Sequence, residues 1–171
     1  KATTHRGRKF MENREAKVVE NPKRLLLMKG RKSSETINTL LKDLQLMRPK
    51  DMVQMLVRHT HDVMPLEDAS LLENQAVKYD CSLFGLGSNQ KKRPDNLVLG
   101  RLFDGHVLDM FEFGVENFQS TDAFETPKHI TGELKPVLIF QGEHFETSET
   151  LKRLKSLLIG KFAAGVRQCG D

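Results

Sequence analysis

The stretch from Asn96 to Phe113 constrains this chain more than any other. Asp104-Gly105 sits between two apolar runs, Asn96–Phe103 and His106–Phe113. Asp-Gly suits a two-residue type I′ turn, because both central residues of that turn need positive φ. The segment therefore predicts a β-hairpin with Phe103 opposite His106, Arg101 opposite Leu108 and Leu99 opposite Met110. In that register one face carries Leu97, Leu99, Leu108 and Met110. The other carries Val98, Leu102, Val107, Phe111 and Phe113. A hairpin that is apolar on both faces belongs between two layers, so Leu108 and Phe111 are expected to be buried on opposite sides.

The remaining sequence supplies those layers. Arg24–Met28, after Pro22 and closed by Gly30, reads as a buried strand. Ser33 and Ser34 offer an N-cap. Ile37, Leu40, Leu41, Leu44 and Met47 then recur at helical spacing until Pro49. Met52–Arg58 reads as a second strand and Pro65–Val77 as a short helix with acids in its first turn. Cys81–Leu86 is a third strand, followed by a polar loop over Gly87–Asn96. Gly114–Gly132 is loop-rich, and Pro136–Phe140 reads as a further strand. Ser148–Phe162 reads as a helix with Leu151, Leu154, Leu158 and Phe162 on one side and Lys152 and Arg153 on the other. Strands and helices in this order predict a layered α/β (α+β) fold with no internal repeat.

Charge is spread unevenly. Residues 1–50 hold 14 Lys/Arg and 5 Asp/Glu, a net +9, whereas residues 51–171 hold 13 and 18, a net −5. This asymmetry suggests a basic arm over residues 1–21 that meets a polyanion, joined to a body over residues 22–171. Lys1–Asn21 reads as irregular, with Phe10, Met11, Val18 and Val19 as anchors. RNA fits the arm better than lipid headgroups, because the arm has few apolar residues to insert. No apolar run approaches the roughly 20 residues that span a bilayer. Lys1–Lys9 is polar and unlike a signal peptide, and without Met the first residue is expected to be a cut point. Cys81 and Cys169 do not make a disulfide framework, which fits a reducing compartment.

The familiar catalytic patterns do not form. Gly85-Leu86-Gly87 lacks the third glycine of a dinucleotide fingerprint and the Gly-Lys-Ser/Thr of a P-loop, so it reads as a strand end. His59 and His61 share a strand face but find no third ligand at suitable spacing. Cys81 sits in an apolar run and reads as a core thiol. His106, Asp104 and Asp109 crowd the hairpin without a nucleophile. No cofactor is expected, and no enzyme. Arg101, in an apolar strand, is expected to be ion-paired. The loop Asn89–Asn96 carries Lys91-Lys92-Arg93, three adjacent cations able to straddle phosphates. The expected RNA contacts are Arg6, Arg8 and Lys9 in the arm, Lys23, Arg24, Lys29, Arg31 and Lys32 around the first strand, and Lys91, Lys92 and Arg93 in the loop.

Cys81–Phe118, CSLFGLGSNQKKRPDNLVLGRLFDGHVLDMFEFGVENF, closely resembles the core of Brix-domain proteins. Asn21–Pro49, Pro65–Asp68 and Lys135–Phe162 carry the same likeness, which covers about Phe10–Phe162. The resemblance implies two similar α/β halves, the first like an anticodon-binding domain. After Phe162 the residues Ala-Ala-Gly-Val-Arg-Gln-Cys-Gly-Asp do not supply the strands expected of the second half, which is therefore truncated or completed by a partner. The resemblance also implies a non-catalytic assembly factor of the nucleus and nucleolus, working on the precursor of the large ribosomal subunit. The implied partners are 5S ribosomal RNA, its two escorting ribosomal proteins and the regulator of ribosome synthesis, with which it would form a heterodimer, with no membrane. The alternative is a protein-interaction scaffold whose arm docks on an acidic protein without touching RNA.

Overall fold

The computed structural model describes residues 3–14, 22–61, 63–124 and 136–162, without the side chains of residues 9, 12–14 and 57–61. Five strands form one sheet: β1 (Leu25–Gly30), β2 (Val53–His61), β3 (Leu83–Gln90), β4 (Arg93–Phe103) and β5 (His106–Gly114), in the order β2-β1-β3-β4-β5. The helices are α1 (His5–Arg14), α2 (Glu35–Leu46), α3 (Ser70–Tyr79), α4 (His144–Thr147) and α5 (Glu149–Phe162). β1 runs parallel to β2 and β3, which α2 and α3 connect as crossovers, while β3, β4 and β5 form an antiparallel meander. The layered α/β reading of the sequence is the fold observed.

The pleat sorts the apolar side chains onto two faces. Leu25, Leu27, Leu83, Leu97 and Leu99 pack with Ile37, Leu41 and Leu44 of α2 and Leu157 and Phe162 of α5. Leu26, Met28, Phe84, Leu86, Val98 and Leu102 pack with Leu72 and Ala76 of α3. The sheet is thus the middle of three layers. α2 lies so close to it that a Cβ on Gly87 would come within 2.4 Å of Ile37 Cγ2. This close approach is what Gly87 provides, and no phosphate loop is involved. Gly100 plays the same part beneath the Phe84 ring, 2.4 Å from where its Cβ would stand.

The hairpin forms at Asp104-Gly105, with φ of 49° and 80°. Phe103 pairs with His106 as expected, but the register then slips. A bulge between Arg101 and Leu102 puts Arg101 opposite Asp109 and Leu99 opposite Phe111, against the expected Leu108 and Met110. Leu108 consequently stands 62% exposed, contrary to the sequence expectation, and Met110 joins the α3 face while Phe111 and Phe113 join the other. The bulge also gives Arg101 its partner. Nε and Nη2 bond both oxygens of Asp109, and Nη1 donates to Ser156 Oγ at 3.1 Å. The bond to Asp109 raises the guanidinium pKa further.

Five other expectations need correction. The basic arm is not irregular throughout: His5–Arg14 is helical, begun by Thr4, whose Oγ1 accepts from Gly7 N at 3.1 Å. α3 starts at Ser70 rather than Pro65, because Met64–Asp68 closes into a turn with Glu67 N and Asp68 N both donating to Met64 O. Gly87–Asn96 is no loop, since β3 and β4 run through it to a two-residue turn at Lys91-Lys92. Pro136–Phe140 pairs with no strand among the described residues; Val137 and Ile139 are 86% and 75% exposed. In α5 the expected Leu154, Leu158 and Phe162 do pack against the core, but the deepest residues are Leu157 and Lys161, which the expected stripe did not include. The expectations for residues 163–171 and for Val18 and Val19 lie outside the described residues.

Candidate nucleic-acid interface

One end of the sheet gathers cations from two separate segments. β1 closes at Gly30, where a Cβ would come within 2.8 Å of Ser88 Cβ. The chain then turns through Arg31 and Lys32 into α2. Ser34 caps that helix, accepting from Ile37 N at 3.2 Å and donating to Asp95 Oδ1. Asn89 N donates to Lys32 O at 2.8 Å, fastening this loop to the end of β3. Asp95 N donates to Asn89 Oδ1 at 3.4 Å and holds the β3–β4 turn from the other side. The β1–α2 loop and the β3–β4 turn are therefore one rigid ledge. An open groove of about 630 Å³ runs along it, lined by Lys29, Arg31, Lys32, Ser33, Asn89, Gln90, Lys91 and Pro94.

Of the residues expected to meet RNA, the ledge brings together Lys29, Arg31, Lys32 and Lys91. The cation triplet is split by its own turn. Lys91 faces this groove, whereas Lys92 and Arg93 line a second hollow. Arg93 is ion-paired there with Glu112 at 2.9 Å. Arg24 is committed elsewhere, its Nη1 donating to Tyr79 O at 2.7 Å. Lys23 is exposed, and its carbonyl accepts from Arg48 Nη2 at 2.5 Å. Arg6 and Arg8 are exposed on α1. The side chain of Lys9 lies outside the described residues.

Ser33, Asn89 and Gln90 also line the groove; the sequence offered Ser33 only as a cap and placed Asn89 and Gln90 in the candidate loop without a contact of their own. A further signal for Asn89 and Gln90 was the polar end, Ser88-Asn89-Gln90, of an otherwise apolar strand. Two buried cations were missed altogether. Arg48 donates through Nη1 to Lys161 O, and Lys161 Nζ donates to Phe84 O. Burial pushes the Lys161 amine well below its ordinary range, and the nearby Arg48 charge pushes the same way. Cys81 is buried as expected, and burial pushes its thiol up to about 11. Among the described residues no three His, Cys, Asp or Glu side chains converge to hold a metal.

Residues 30–169 match the Brix domain. The chain belongs to that family. Its relatives include the ribosome production factor 2 homologs of Homo sapiens, 44% identical over 162 residues, and Drosophila melanogaster, 40% identical over 162 residues. That of Schizosaccharomyces pombe is 33% identical over 157 residues. These matches cover 95%, 95% and 92% of this Brix chain, which spans about half the length of each relative, 52%, 50% and 49%. The fold also matches the crystal structure of a probable ribosomal biogenesis protein from Aeropyrum pernix K1, with a TM-score of 0.52 at 14% identity. That match covers 85% of this chain and 74% of the other.

Proposed function

We propose that this chain is a non-catalytic assembly factor of the large ribosomal subunit that binds 5S ribosomal RNA and its escorting ribosomal proteins, acting in the nucleolus as a heterodimer with the regulator of ribosome synthesis. The observation that carries the RNA part is the convergence of Lys29, Arg31, Lys32 and Lys91 on one ledge. These cations come from segments about sixty residues apart in sequence, yet the Asn89–Lys32 and Ser34–Asp95 bonds hold their backbones in fixed relation. Cations on a fixed ledge suit a phosphate backbone, whose spacing is regular and whose contacts set register. The ribosomal assignment draws on the names of the family relatives.

The test is 5S RNA binding across a salt series, for the wild type and for Lys32→Ala/Lys91→Ala. Each lost phosphate contact should lower the slope of log K against log salt by about 0.7–0.9. Affinity should fall with it. Unchanged affinity and slope would remove the ledge from the interface. A second reading, a scaffold whose arm docks on an acidic protein, is favoured by α1 alone: Arg6 and Arg8 are exposed there beside Phe10 and Met11, 59% and 53% exposed.

A further inference from the structure

On the α3 side of the sheet, next to the basic ledge, lies a hollow of about 280 Å³. That is at the small end for ligand pockets and suits one ring system. Its walls are of two kinds. Val63, Met64, Pro65 and Leu66 from the β2–α3 connection, with Leu86 and Val98 from the sheet, form an apolar slot. The connection is pre-shaped by the Met64–Asp68 turn, so the slot does not have to be built on binding.

The polar wall is made by Ser88, Asn96 and Glu112, brought side by side because Ser88 pairs with Asn96 and Val98 with Glu112 in the sheet. Ser88 and Asn96 are only 9% and 7% exposed. Glu112 Oε1 accepts from both Asn96 Nδ2 at 2.7 Å and Arg93 Nη1 at 2.9 Å. One of the two Asn96 N–H donors is engaged in this way, and Asn96 Oδ1 and Glu112 Oε2 have no partner among the described residues. The Ser88 hydroxyl has none either. The Ser88 hydroxyl and the Asn96 amide oxygen belong to side chains that are otherwise buried, and they open onto the hollow as hydrogen-bonding groups that a ligand can use.

We propose that this hollow receives one unpaired guanine of the bound RNA. The proposal rests on the RNA reading above and deepens it. Two neighbouring acceptors call for a base edge with two neighbouring donors. Guanine presents N1–H and N2–H₂ together, whereas adenine and cytosine offer one amine and uracil one imide N–H. The apolar slot takes the faces of the ring. Gln90 lines both the ledge groove and this hollow, and Lys92 rims the hollow one residue after Lys91 rims the groove. A strand whose phosphates lie along the ledge therefore passes the mouth of the slot where a base can turn in.

The experiment is fluorescence anisotropy of the 171-residue chain with four labelled pentaribonucleotides, UUGUU, UUAUU, UUCUU and UUUUU. UUGUU should bind roughly tenfold tighter than the other three, the discrimination of one good two-bond base contact. Glu112→Gln replaces an acceptor oxygen by a donor and should erase that preference while leaving UUUUU unchanged. Ser88→Ala, which removes a hydroxyl and almost no volume, should reduce it in part, and keeps the test sound if the first variant melts early. Lys91→Ala should weaken all four alike. Equal binding of the four, a preference for another base, or a guanine preference that survives Glu112→Gln overturns the pocket and leaves the ledge standing. If neither the pentamers nor 5S RNA bind, the ledge reading falls with it.

Discussion

Lys161 lies in the last turn of α5 with its amine against the carbonyl of Phe84, sealed from water by the sheet and by Arg48. An amine held well below its ordinary pKa is uncharged in the folded chain over a range where the unfolded chain carries its proton. The unfolded state then binds one more proton, so stability rises with pH, by up to about 1.4 kcal/mol per unit, between the lowered pKa and the ordinary value near 10. Cys81 works the other way, but only above its ordinary range of 9.0. Urea midpoints measured from about pH 7 to about pH 8.5 should therefore rise for the wild type, and the rise should be smaller in Lys161→Met. Equal slopes would mean that the amine stays charged when buried. Nothing around Lys161 in the sequence distinguishes it from Lys152 or Lys155 on the same helix. Only the angle at which α5 meets the sheet does. Cys81, by contrast, was legible as a core thiol from its apolar neighbours.

Among the elements, the β4–β5 hairpin shows how a turn and a bulge divide the control of register. Asp104-Gly105 set the turn, and the pairing next to it followed. Two residues on, the ladder bends so that Arg101 meets Asp109, an ion pair about one-fifth exposed on each side. Leaving Arg101 opposite Leu108 would have put a guanidinium in an apolar layer without a partner, which costs more than a bulge. The hairpin tip is then tied down by α3. Glu73 Oε1 accepts from Val107 N at 2.9 Å, and Oε2 meets His106 Nδ1 at 3.3 Å. Glu73→Ala should leave the Val107 amide without its partner, at a cost of about 1–3 kcal/mol. Amide exchange at Val107 should quicken at least tenfold while exchange at Leu99 stays slow. Protection of Val107 equal to the wild type would show that the tip stands without α3. The expected strand at Pro136–Phe140 failed for a related reason. Its alternation is real, with Leu138 packed inward and Val137 and Ile139 outward, but strand formation needs a backbone to pair with.

At the scale of the molecule, three layers meet in one sheet whose polar end carries both the basic ledge and the slot beside it. Val137 and Ile139 are exposed among the described residues, which suits contact with the proposed protein partner. If the regulator of ribosome synthesis binds only the folded chain, a hundredfold excess over Kd adds about 2.7 kcal/mol. A thermal melt with and without that protein should show a Tm several degrees higher in its presence, with the gain reduced by Val137→Asp/Ile139→Asp. A Tm that does not move would remove the heterodimer from the proposal, without touching the RNA ledge. The sequence by itself determined the layered α/β class, the Asp104-Gly105 turn, the Ser34 cap and the basic character of residues 1–50, because each rests on local geometry or on composition. Tertiary structure alone decided which cations share a surface. Lys91 and Lys92 are adjacent in sequence yet line different hollows, since a tight turn sends its two residues apart, while Lys32 and Lys91 meet because parallel pairing of β1 with β3 brings their ends to one edge. Burial of Lys161 and the grouping of Ser88, Asn96 and Glu112 were decided in the same way, by register between strands, which no single segment contains.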